Sequence, residues 1–126
     1  MSHHAKLNHA ELASSDPAAT QKFLEQAFGL KFRELGEEMG NYRMHGREDG
    51  AQGADIGIRG LMGPTDLPGT VAYFEIPDID AAVKSVQEAG AKIVMAKTEV
   101  PGVGWLAVYV APGGVTQGVF QYKTPR

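Results

Sequence analysis

The feature that most constrains the fold of this chain is an internal duplication. An alternating segment, Leu7-Asn8-His9-Ala10-Glu11-Leu12-Ala13-Ser14-Ser15-Asp16, is matched by Gly69-Thr70-Val71-Ala72-Tyr73-Phe74-Glu75-Ile76-Pro77-Asp78. Each ends in an Asp placed to cap a helix, and the step from His9 to Asp16 equals that from Val71 to Asp78. Pro17 sits at the first helical position of the first half. Phe23 with Ala27 and Leu24 with Phe28 give i, i+4 apolar pairs, and Gly29 is the stop. In the second half Asp78 or Asp80 caps the helix. Ile79, Val83 and Val86 form its stripe, and Gly90 ends it.

Three strand-like runs follow each helix: 30–35, 41–46 and 54–59, then 92–97, 104–110 and 116–122. The predicted fold is therefore α+β, two tandem βαβββ modules forming a cupped mixed sheet with helices on its outer face. We expect one domain over 1–126, with the first module at about 6–60, a linker at 61–69 and the second module at about 70–123. A chain of 126 residues is long enough for a hydrophobic core.

Composition removes several function classes. With 12 Lys+Arg against 15 Asp+Glu, the net charge of -3 argues against nucleic acid or an anionic membrane as partner. The absence of cysteine excludes disulfides, thiolate metal sites and cysteine nucleophiles. No apolar run approaches a membrane span and the start lacks a signal-peptide core, so a cytoplasmic protein is expected. His3 and His4 read as part of a flexible terminus rather than a metal clip.

Period-two alternation assigns the strand faces. Ala10, Leu12, Phe32, Tyr42, Met44, Ile56 and Ile58 fall on a predicted helix-packing face, as do Ala72, Phe74, Ile76, Ile93, Met95, Leu106, Val108 and Val110. The opposite parity carries His9, Glu11, Arg33, Arg43, His45, Asp55 and Arg59, then Tyr73, Glu75, Trp105, Tyr109, Phe120 and Tyr122. A solvated face needs no such set of aromatics, so we read a small-molecule cavity there. Tyr73, Trp105, Tyr109 and Phe120 are its predicted stacking residues. Arg43 and Arg59 are candidate binders of a ligand carboxylate or phosphate. His9 and Glu11 share a strand face and are the candidate catalytic acid–base pair; alternatively, Glu11 pairs with Arg33, Arg43 or Arg59 as a structural link.

The opening His9-Ala10-Glu11-Leu12 through Asp16-Pro17, with Lys22-Phe23-Leu24 and Phe28-Gly29-Leu30-Lys31-Phe32, resembles the first module of the vicinal oxygen chelate superfamily (glyoxalase/bleomycin resistance/dioxygenase). Phe74-Glu75-Ile76-Pro77-Asp78-Ile79-Asp80-Ala81, Glu88-Ala89-Gly90-Ala91, Lys97 through Trp105 and Val119-Phe120-Gln121 resemble its bacterial branch of predicted lactoylglutathione-lyase-related enzymes. The resemblance implies metal ligands on the first and last strand of each module, at His9, Gly57, Val71 and Gly118 here. Valine and glycine side chains cannot coordinate a divalent cation, so no metal and no other cofactor is expected. The expected function is small-molecule binding with an eroded metal site. The alternatives are a lyase or isomerase using His9 and Glu11, with or without a divalent metal, and an interaction module closed by a second copy. The resemblance also implies a homodimer.

Overall fold

The protein is described by a computed structural model over residues 3–37, 40–46 and 53–124. Its order is β1 (Lys6–Ser14), α1 (Pro17–Phe28), β2 (Arg33–Glu34), β3 (Arg43–His45), β4 (Asp55–Gly60), β5 (Gly69–Glu75), α2 (Ile79–Glu88), β6 (Lys92–Val100), β7 (Gly104–Ala111) and β8 (Val115–Tyr122). This is the βαβββ pattern twice, an α+β fold with a mixed sheet, as the duplication predicts. Contacts divide the chain into two compact units, His9–Val71 and Ala72–Arg126 with Met1–Asn8. They are called here the first and second modules.

The local signals act where the sequence puts them. Asp16 and Asp78 cap their helices, their side chains accepting from the backbone N–H of Ala19 and Ala81. Gly29 takes the left-handed conformation, φ 72°, that lets its N–H satisfy the Glu25 carbonyl and stop α1.

In the first module β1 pairs parallel with β4, which pairs antiparallel with β3, and β3 with β2. The runs expected at 30–35 and 41–46 shrink to two and three residues. In the second, β5 pairs parallel with β8, and β8, β7 and β6 follow as an antiparallel ladder. Its core joins Ile76, Ile79, Ala82, Ala107, Tyr109 and Val119, with Phe74, Val83, Val86, Ile93 and Trp105 packed against it.

Register corrects the faces of three strands. Trp105, Ala107 and Tyr109 pair with Gln121, Val119 and Gln117, and Val119 lies beside Phe74, so these side chains share the α2 side. The Gln121 carboxamide confirms it by accepting the N–H of Ile79 at 2.9 Å. Leu106 and Val108 therefore face away from α2, together with Tyr73, Glu75, Phe120 and Tyr122. Met95, which pairs with Val108 across a register shift, joins them. In the first module Arg43 and His45 pair with Ile58 and Ile56 and lie on their side, away from His9 and Glu11. Met44 pairs with Gly57 and, like Tyr42, belongs to the His9 side.

Candidate functional site

Two groups of side chains stand where the sequence places a site, one in each module. In the first, β1 and β4 present His9 beside Asp55, Glu11 beside Gly57, and Ala13 beside Arg59. Glu11 and Asp55 are buried, a costly placement for carboxylates unless partners offset the lost hydration. Glu11 has one in Arg59, whose Nε donates to Glu11 Oε2 at 2.9 Å. Arg59 Nη1 also donates to Asp66 Oδ2 at 2.6 Å and to the Gly60 carbonyl at 3.1 Å. Burial of Arg59 opposes its charge, but hydrogen bonds and attraction from Asp66 and Glu11 outweigh it and raise its pKa. The Asp66 carboxyl is held below the usual range by Arg59 and by the N–H of Met62. Arg59 is thus an intramolecular clasp, and the structural reading of Glu11 is the one the geometry supports.

His9 Nε2 lies 3.0 Å from the Tyr42 hydroxyl. The Tyr42 ring rests on Gly57, where any Cβ would overlap the phenol. Sequence reasoning places Tyr42 on the helix face and so misses this partner. The signal was the bare Gly57 itself, since a glycine inside a strand marks close approach by another group.

The second module repeats the device. The Tyr73 ring lies on Gly118, again in the space a Cβ would occupy, and Tyr73 is buried. Beyond it on the side away from α2, Phe120 and Tyr122 stack at 4.8 Å between ring centroids, tilted by 51°. Leu106 pairs with Phe120 and Val108 with Gly118, so aliphatic side chains continue the surface. Its polar member is Glu75, which accepts a hydrogen bond from the Asn8 carboxamide.

Three of the expected ligand-binding residues lie elsewhere. Trp105 is packed against the core on the α2 side, with the ammonium groups of Lys97 and Lys123 each 5.5 Å from its ring. Tyr109 is 4% exposed beneath α2 and donates to Gln117 Oε1 at 3.1 Å; its burial pushes the phenol pKa up. Arg43 is on the side of Ile58, 3.4 Å from Glu34.

The chain belongs to the family described as the Glyoxalase/Bleomycin resistance protein/Dioxygenase superfamily, which it matches over residues 6–116. No curated protein matches its sequence. Among solved structures, a hypothetical protein, BH1468, from Bacillus halodurans C-125 is 15% identical with a TM-score of 0.71, covering 98% of both chains. Streptomyces coelicolor methylmalonyl-CoA epimerase in complex with 2-nitronate-propionyl-CoA is 16% identical with a TM-score of 0.70, covering 94% of this chain and 98% of the other. The epimerase from Mycobacterium tuberculosis is 16% identical with a TM-score of 0.68, covering 94% of this chain and 88% of the other. At such identities the likeness is one of fold.

The four positions at which the resemblance implies metal ligands hold His9, Gly57, Val71 and Gly118. Tyrosine rings occupy the space over both glycines: a side chain at position 118 would meet the buried Tyr73, and one at position 57 would have to displace the outer end of Tyr42. Among the described residues no three or more His, Asp or Glu side chains group as a metal site. Of those four positions, His9 alone carries a side chain that can coordinate a cation. Among the described residues no helix is long and apolar enough to cross a membrane.

Proposed function

We propose that this protein is a cytoplasmic small-molecule binder of the superfamily that works without a resident metal. The ligand rests on the second module's sheet face away from α2. The observation that carries this reading is the seating of Tyr73 on Gly118, which puts an aromatic wall where a metal-binding relative needs a carboxylate. Phe120, Tyr122, Leu106 and Val108 extend that wall, and Glu75 supplies one anionic acceptor. An aromatic and aliphatic surface with a carboxylate beside it suits a planar aromatic molecule bearing an N–H donor.

The test is a thermal-shift comparison of aromatic amines with aromatic carboxylates of the same size. Amines are expected to raise the melting temperature by mass action and carboxylates to leave it unchanged. Glu75→Gln and Phe120→Ser should each remove the response. Equal responses to both classes, or a response surviving both substitutions, would end the proposal. Metal analysis of protein purified without chelator checks the other half: a stoichiometric ion lost in His9→Ala would restore the metal-enzyme reading.

A second reading, a lyase- or isomerase-type activity, has one observation in its favour. The 3.0 Å contact of His9 with Tyr42 pairs an imidazole with a phenol, groups that can accept and deliver a proton. Solvent deuterium exchange beside the carbonyl of methylmalonyl-CoA or small 2-oxo acids tests it. Exchange no faster than with His9→Ala would remove it.

The protein is also inferred to pair with a second copy. Exposure of Phe23 (61%) and Phe28 (71%) on α1 supports an association that covers them.

A further inference from the structure

Glu11 and Glu75 are both strand carboxylates drawn back from solvent, and they differ in what offsets their charge. Glu11 has the Arg59 guanidinium at 2.9 Å. Glu75 accepts a hydrogen bond from the carboxamide of the buried Asn8, a neutral group. Among the described residues no cationic side chain pairs with Glu75. An amide donor satisfies a lone pair but leaves the negative charge in place.

The surroundings of that charge are aromatic. Glu75 is the Cα partner of Phe120 on the neighbouring parallel strand, and Tyr122 follows Phe120 on the same face. Phe120 leans toward β7, its ring edge 3.0 Å from where a Cβ on Gly104 would stand. Because β5 and β7 flank β8 on opposite sides, the ring leans away from Glu75. Phe120 and Tyr122 are half-buried and tilted by 51° to one another, so neither ring lies flat over the other.

Aromatic faces carry the negative end of a quadrupole, so rings and carboxylate act with one sign. An anion is repelled, a neutral amine gains one hydrogen bond, and a cation gains from every wall. A bare ammonium would give up strong hydration here for one carboxylate. A methylated ammonium spreads its charge over apolar methyl groups, which pack on the rings while the charge faces Glu75.

We propose that Glu75, Phe120 and Tyr122 form a subsite for a methylated organic ammonium. The inference rests on the ligand face proposed above and narrows what that face reads, from N–H donation to positive charge on nitrogen.

The probes are phenyltrimethylammonium, which is cationic and has no N–H, and aniline, which is neutral near pH 7 and has one to donate. Each is titrated into the full chain by calorimetry and by proton NMR. Phenyltrimethylammonium should bind about tenfold more tightly than aniline, its N-methyl resonance moving upfield and showing contacts to the Phe120 and Tyr122 ring protons. Glu75→Gln keeps the shape and an acceptor oxygen but removes the charge, and should weaken phenyltrimethylammonium about tenfold. Phe120→Leu keeps apolar bulk without the ring and should weaken it about fourfold. Aniline binding as tightly as phenyltrimethylammonium overturns the proposal, as does an affinity for phenyltrimethylammonium unchanged in both variants. In either case an aromatic-amine response would leave the proposed function standing. Binding of neither probe removes both.

Discussion

The two modules follow one blueprint and spend it differently. The second buries the inner stripe of its helix: Ile79 is fully buried and Ala82 nearly so, and they join a six-residue core beneath strands of seven to nine residues. The first buries no residue of α1, and two of its strands run only two and three residues. Ile58 of β4 is fully buried there, and polar pairs stand beside it: Arg59 with Glu11 and Asp66, His9 with Tyr42, Ser14 with Thr20 at 2.6 Å. A duplicated scaffold can place hydrophobic stabilisation in one copy and keep titratable groups in the other. Buried apolar area needs no partner geometry, whereas buried charge depends on it.

The largest expected effect tests that division where it is greatest. Ile79→Ala empties a fully buried site and should cost about 3 kcal/mol in chemical denaturation. A cost below about 1 kcal/mol would mean that the second module is not the better packed one.

Next come the two glycine seats, alike in design but not in freedom. Gly118→Ala drives a Cβ into the ring of Tyr73, which is 5% exposed and has nowhere to go, so a loss of about 2 kcal/mol is expected. Gly57→Ala meets the outer end of Tyr42, which is only half-buried and can swing aside, so about 1 kcal/mol should suffice. Equal costs would show that Tyr42 is as firmly held as Tyr73. The imidazole resonances of His9 should shift in Gly57→Ala and stay in place in Gly118→Ala.

How much of this could be read from residues alone follows the same division. The duplication, both Asp caps, Pro17, Gly29 and the strands of the second module are local signals, and the structure reproduces them within a few residues. Face assignment failed where alternation is ambiguous. β7 reads Trp105-Leu106-Ala107-Val108-Tyr109-Val110, apolar at both parities, so its pattern cannot say which set meets the helix. The small Ala107 between two bulky aromatics was the useful clue, because Trp105 and Tyr109 pack around it under α2. In the first module the register of β3 depends on the connection to β4, and residues 47–52 of that connection lie outside the described residues. A slip of one residue there moves Arg43 and His45 to the wrong face and hides Tyr42. The Arg59–Asp66 link was out of reach for a different reason: Asp66 sits in what reads as a linker, and turn residues carry no face periodicity.

That link gives the third prediction, a pH test of the polar module. Arg59→Met leaves Glu11 and Asp66 without their cation and should cost about 1.5 kcal/mol at pH 7, less than a fully buried pair because Arg59 and both carboxylates keep some solvent. The folded state depresses the Asp66 pKa, so its contribution is present above the ordinary carboxylate range and is lost as pH falls through the lowered value. The gap between wild type and Arg59→Met should therefore narrow below about pH 4. Ile79→Ala removes no charge, and its cost should stay constant over that range. A gap for Arg59→Met that is flat with pH would mean that the arginine acts by packing its aliphatic stem rather than by its charge.

The smallest effect on stability bears on what the first module leaves uncovered. Phe23 and Phe28 are exposed large apolar side chains on a helix with no buried residue. Replacing both with serine removes no core contact, so unfolding should change by less than about 0.5 kcal/mol. If a second copy covers them, the same double substitution should shift sedimentation from dimer toward monomer, because the apolar area lost belongs to association rather than folding. A dimer of unchanged strength would place the pairing surface away from α1. A large loss of stability in the monomer would instead show that α1 is packed as tightly as α2, and the contrast between the two modules would have to be withdrawn.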